Sequence, residues 1–159
     1  MIKSILFVCL GNICRSPAAE AVFLNKIQSQ GLEDHFIVDS AGTGGWHIGN
    51  HADSRMRKAA AKRGVNIESR ARQINLNDFQ RFDLILTMDN ANLNDINSLA
   101  KEVGDKNKAK IYPLLSFARN TNKIEVPDPY YGGENGFDNV LDLLEDAIDG
   151  LLLTFKFEE

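Results

Sequence analysis

Residues 4 to 9 read Ser-Ile-Leu-Phe-Val-Cys, an apolar run with no polar alternation. That pattern predicts a strand covered on both faces, as in the middle of a parallel sheet. Ser16 then offers a helix N-cap with Pro17 at the first helical position. Ala19, Val22, Phe23 and Ile27 recur at i, i+3, i+4 and i+8 until Gly31, the period of an amphipathic helix. His35 to Asp39 reads as a second short strand, Ala52 to Arg63 as a helix closed by Gly64, and Phe82 to Met88 as a strand centred on Leu84-Ile85-Leu86. A helix over Asn90 to Val103, a strand near Lys110 to Leu114 and a last helix from about Gly136 follow. Phe137, Val140, Leu141, Leu144, Ile148 and Leu151 give this last helix a continuous apolar stripe, with Asp138, Asp142, Glu145 and Asp149 on its other faces.

Strands that alternate with helices predict an α/β fold, a doubly wound, four-stranded parallel sheet with helices on both faces. No repeat, low-complexity segment or change of composition marks a linker, so residues 1–159 are expected to form one domain. Such sheets take ligands beyond the carboxyl ends of their strands, and the first strand ends at Cys9. The stretch from Asn120 to Gly136 is rich in Pro and Gly and has no period. Loops of that length inside a compact domain are more often functional than idle.

Composition narrows the function. With 43% hydrophobic and 25% charged residues, the chain has an ordinary globular balance. Its 18 basic and 22 acidic residues leave a net charge of −4, and no basic run could neutralise a phosphate backbone, so nucleic acid is not an expected partner. The longest apolar run, Ile5 to Leu10, is far short of the ~20 residues of a spanning helix, and Met-Ile-Lys-Ser does not open a signal peptide. No membrane insertion and a cytoplasmic location are expected. The two cysteines, Cys9 and Cys14, lie too close in sequence to staple a fold, which suggests chemistry instead.

That chemistry centres on Cys9-Leu10-Gly11-Asn12-Ile13-Cys14-Arg15-Ser16, between a strand and a helix. A short loop there can turn backbone N–H groups inward as an anion nest at the positive end of the helix dipole. Gly11 and Asn12 tolerate the positive φ that a nest requires. Arg15 offers a planar fork for two phosphate oxygens. Cys9, in the same field and within reach of the Ser16 hydroxyl, would serve as a thiolate nucleophile beneath a bound phosphate. The plainer reading of a strand-end cysteine is a small buried hydrophobe.

Val8 to Pro17 resembles the signature of the low-molecular-weight protein tyrosine phosphatases, and Asp128-Pro129-Tyr130-Tyr131-Gly132 resembles their acid loop. Asp39-Ser40-Ala41-Gly42, Gly45-Trp46, Ala71-Arg72-Gln73 and Met88-Asp89 are similar to further family stretches, so the likeness spans the chain. The resemblance implies a flavodoxin-like sheet and hydrolysis of phosphotyrosine on proteins through a cysteinyl-phosphate on Cys9. Arg15 would hold the phosphate oxygens and Asp128 would act as general acid and base, with no metal or organic cofactor. Read without the family, Asp128 is better taken as an ordinary turn aspartate.

The resemblance also implies a strained Asn12 pinned by Ser40 and Ser16, although Ser40 alone reads as a plain strand-end serine. Leu10, Ile13, Trp46, Tyr130 and Tyr131 would wall the pocket, with His47 at its rim; for Trp46 the competing reading is core packing. Cys14 would close reversibly onto Cys9 under oxidation. His35, His47 and His51 show no metal-ligand spacing. One departure is visible: many members carry His where this chain has Ser69, which removes one expected support of Asn12. Expected partners are phosphotyrosyl proteins, with inorganic phosphate or other oxyanions as product and inhibitors. Two other activities fit the loop, a thiol-dependent arsenate reductase and an inactive phosphotyrosine-binding module. The reductases use further cysteines outside the loop, which this sequence lacks, and the module would have lost Cys9, Arg15 or Asp128.

Overall fold

The computed structural model describes residues 2–131, 133 and 135–155, the side chain of Tyr131 excepted. Four strands, β1 (Lys3–Cys9), β2 (Phe36–Gly42), β3 (Leu84–Thr87) and β4 (Lys110–Pro113), form one sheet in the order β2-β1-β3-β4. Every pairing is parallel, with Cys9 opposite Gly42 and Val8 opposite Thr87. The helices are α1 (Arg15–Ser29), α2 (Ser54–Ala61), α3 (Asp78–Arg81), α4 (Asn90–Val103) and α5 (Gly136–Leu152). This is the doubly wound parallel sheet that the alternating pattern predicts, in the flavodoxin-like order that the resemblance implies.

Side chains of β1 alternate between two cores because successive Cβ atoms point to opposite faces. Ile5, Phe7 and Cys9 pack with Phe23 of α1 and Val140, Leu144 and Ile148 of α5. Leu6 and Val8 pack on the other face with Phe79 of α3 and Ile96 of α4. The two faces together explain why the strand shows no polar alternation. All six apolar stripe positions of α5 are buried, and each is worth roughly 1.5–3 kcal/mol of transfer free energy. Among the described residues no helix is long and apolar enough to cross a membrane.

The order of the strands positions the site. Connections leave β1 for β2 on one side, whereas β3 lies on the other, so a crevice opens beyond the ends of β1 and β3. Cys9 stands at one lip, and Met88-Asp89 follows β3 at the other.

Several boundaries differ from the sequence expectation. Ser16 is not the cap of α1: the helix begins at Arg15 with Cys14 at the N-cap position and no side-chain cap, and the Ser16 hydroxyl turns into the loop instead. The second strand starts at Phe36 and runs on through Ser40-Ala41-Gly42, poor strand formers held by full register with β1. The helix expected over Ala52 to Arg63 is shorter, since the Asp53 side chain accepts from the N–H groups of Arg55 and Met56 and fixes its start. Phe82 and Asp83 stay outside β3, Asp83 being engaged by Ser4. The short α3 has too few residues to show a period.

Candidate active site

Residues 10–14 link β1 to α1, and four carbonyls along this stretch are engaged by the surrounding chain. Those of Cys9 and Leu10 accept from the N–H groups of Thr43 and Gly44, each at 2.9 Å; Ile13 accepts from Asp53 at 2.7 Å and Cys14 from Ala18 at 3.1 Å. In a planar trans peptide the N–H opposes the C=O. The amides of Leu10, Gly11, Cys14 and Arg15 are therefore turned away from these contacts, as an anion nest requires. The loop lies directly on Gly42, where a Cβ would come within 2.8 Å of the Leu10 carbonyl. Gly11 does not supply positive φ as expected. It leaves room for His47, whose Cδ2 would lie 3.0 Å from a Cβ there.

Asn12 alone among the described non-glycine residues has positive φ, 56°. That conformation costs on the order of 1 kcal/mol and needs support. Its amide nitrogen donates to Ser16 Oγ at 2.8 Å and Ser40 Oγ at 3.0 Å, and its oxygen accepts from the Arg72 N–H at 2.9 Å. Ser40 is thus a buried junction rather than a plain strand end. Its hydroxyl donates onward to Glu20 at 2.5 Å. Burial pushes the Glu20 carboxyl up to about 7, against the hydrogen bonds from Ser40 and Ser69.

Cys9 is only 3% exposed, and its Sγ lies 3.0 Å from Ser16 Oγ. Arg15 is buried beside it, with Nη1 donating to Asp89 at 2.8 Å and to the Val126 carbonyl at 3.0 Å. Asp89 also caps α4, accepting from the Asn92 N–H. One end of the guanidinium is thereby anchored between β3 and the 120s loop. Cys14 is a free, buried thiol pushed up to about 12, first by burial and then by Asp53 and Cys9.

A cleft of about 90 Å³ is lined by Cys9, Leu10, Gly11, Ile13, Cys14, Arg15, Trp46, His47, Asp128 and Tyr130. Asn12, Ser16 and Ser40 stand behind it as supports. Trp46 is 71% exposed, which excludes core packing and leaves it as a wall. Asp128 comes from the other end of the chain, its Oδ1 accepting the Tyr130 N–H at 3.0 Å. The Tyr131 side chain and Gly132 lie outside the described residues. Sequence reasoning missed Glu20, Asp53 and the anchoring role of Asp89. Only the Asp53 cap, three residues before Met56, the first buried position of α2, carried a local signal.

Residues 4–159 match the family model for the low molecular weight phosphotyrosine protein phosphatase. The Homo sapiens phosphatase of that description is 46% identical over 138 residues, 87% of this chain and 86% of that one. A protein tyrosine phosphatase structure from Entamoeba histolytica superposes with a TM-score of 0.89 at 47% identity, covering 96% of each chain. A Drosophila arginine phosphatase structure gives 0.90 at 30% identity, covering 98% of this chain and 99% of that one. The likeness runs over the whole sheet, not the loop alone, and the chain belongs to the low molecular weight protein tyrosine phosphatase family.

Proposed function

We propose that residues 1–159 act as one catalytic domain that hydrolyses phosphotyrosine monoesters on proteins, and small aryl phosphates, through a covalent intermediate on Cys9. The observation that carries this is convergence: Asp128, Cys9 and Arg15 line one narrow cleft although Asp128 is remote in sequence. The phosphate sits in the nest with its oxygens on the loop amides and on Arg15, where developing charge is stabilised. The Cys9 sulfur attacks phosphorus in line, forming S–P as the P–O bond to the phenol breaks. The Tyr130 N–H occupies Asp128 Oδ1, so Oδ2 carries the proton that the leaving oxygen receives. In the second half Asp128 takes a proton from water, whose oxygen attacks phosphorus and frees Cys9 and inorganic phosphate. Ser16, 3.0 Å from Cys9 Sγ, donates to the sulfur as it leaves.

Leu10, Ile13, Trp46, His47 and Tyr130 form the surround for an aryl ring. Family membership supports phosphoprotein substrates, and the residues of the cycle need no metal or organic cofactor. A cytoplasmic location fits substrates of this kind. Both cysteines of the chain lie in the loop, which leaves no outside thiol for the relay of an arsenate reductase.

The test is phosphate release from p-nitrophenyl phosphate by the wild-type chain and Cys9→Ser, with EDTA present. Turnover that the single substitution abolishes is expected; turnover that survives it removes the cysteinyl intermediate. A phosphotyrosyl peptide, phosphoarginine and thiol-dependent arsenate reduction belong in the same assay. Preference for either of the last two over phosphotyrosine would overturn the substrate assignment.

A further inference from the structure

Asp53 touches both halves of the cleft without lining it. Its N–H donates to the Ile13 carbonyl of the phosphate loop at 2.7 Å. Its Oδ2 accepts the hydroxyl of Tyr130 at 2.9 Å, across 77 positions of sequence. Tyr130 in turn holds Asp128 through its N–H. The remaining carboxylate oxygen caps α2. Arg55 completes the arrangement: Nη2 pairs with Asp53 at 3.0 Å, and the guanidinium lies 4.8 Å from the Tyr130 ring centroid and 4.9 Å from that of Phe137. The Asp53 side chain is 11% exposed against 55% for Arg55, so the carboxylate is the sheltered centre of the cluster.

A tyrosine that is 47% exposed, on a loop rich in Pro and Gly, has little packing of its own to fix it. Its hydroxyl, held by Asp53 and facing Cys14, and its ring beneath Arg55 fix it here. Because Asp53 is also tied to Ile13, the phosphate loop and the acid loop are registered against a single residue. Catalysis tolerates little error in such a distance, since a shift of about 1 Å can cost on the order of 10²-fold in rate.

We propose that Asp53, with Arg55, is a positioning residue that clasps Tyr130 and thereby sets both the cleft width around an aryl ring and the placement of Asp128 over Cys9. This rests on the phosphatase reading above. The clasp makes leaving-group protonation, rather than phosphate binding, its sensitive quantity. Substrates with poor leaving groups depend on a well-placed acid, and p-nitrophenol hardly does.

Asp53→Ser keeps a good helix cap but is too short to reach the Tyr130 hydroxyl, and Tyr130→Phe keeps the ring but removes that hydroxyl. Each is expected to lower kcat/KM on phenyl phosphate about tenfold and on p-nitrophenyl phosphate much less, with the affinity for inorganic phosphate unchanged. The double variant should lose no more than either single one, and Asp53→Asn, whose oxygen keeps the cap while its amide NH2 donates to the Tyr130 oxygen, should restore most of the loss. Thermal unfolding of each variant checks the fold. Losses that multiply in the double variant, or equal losses on both substrates, would overturn the clasp. Wild-type turnover abolished by Cys9→Ser, measured in the same series, verifies the underlying reading separately; without it both readings fall.

Discussion

The Ser40 hydroxyl donates to the Glu20 carboxyl at 2.5 Å while accepting from Asn12, so a half-buried acid on α1 sits two hydrogen bonds from the one strained non-glycine residue described. Glu20 is pushed up from 4.5 to about 7 by burial, with Asp39 adding to the rise and Ser40, Arg72 and Ser69 opposing it. A carboxyl with a raised folded-state pKa binds more protons folded than unfolded between those two values. Its stability contribution is therefore full below about 4.5 and is lost as pH climbs toward 7. Glu20→Gln, which cannot ionise, should be more stable than wild type at pH 8 by roughly 2–3 kcal/mol at most, and near parity at pH 4. Urea unfolding at the two pH values measures this, and an equal difference at both would refute it.

Ser16 ties the strained residue to the proposed nucleophile, accepting from Asn12 at 2.8 Å and lying 3.0 Å from Cys9. Ser16→Ala should leave a buried amide short of a partner and the departing sulfur without a donor. A fall in kcat of about 10²-fold is expected, larger than the change in KM. Steady-state and burst kinetics on p-nitrophenyl phosphate separate the two steps, with the hydrolysis of the intermediate slowed most.

Asp128 is assigned the leaving-group proton. Asp128→Asn should cost about 10²–10⁴-fold in kcat/KM for phenyl phosphate and far less for p-nitrophenyl phosphate. A leaving-group plot across substituted phenyl phosphates reads the outcome as a steeper slope. An unchanged slope would remove Asp128 from the acid role.

Oxidation offers a fourth check. Peroxide would oxidise the Cys9 thiol to a sulfenic acid and release water; Cys14 sulfur would then attack it, its proton and the sulfenic oxygen leaving as a second water. Cys14 is pushed up to about 12, so closure should quicken as pH rises, the attacking form being the thiolate. Intact-mass measurement should find a product two hydrogen masses lighter in wild type and none in Cys14→Ser. The same product in that variant would exclude this pair.

What the sequence by itself determined is what the chain holds contiguously. The apolar run before Cys9, the period of α5 and the eight residues from Cys9 to Ser16 are local patterns, and each appears in the structure where its spacing requires. Composition also fixed the two-faced burial of β1, because no polar residue interrupts it. Tertiary structure alone decided what stands behind and around that loop. Asn12 takes its supports from Ser40 and Arg72, Arg15 from Asp89 and Val126, and Tyr130 from Asp53. None of these pairings has a sequence period, since each depends on the strand order that brings β2 and the segments after it to one side of the end of β1, and β3 with the 120s loop to the other. The same topology explains the misread Ser16, whose position favours a cap locally. Its hydroxyl instead meets Cys9 and Asn12, partners that the parallel register with β2 and the turn of the loop bring into reach.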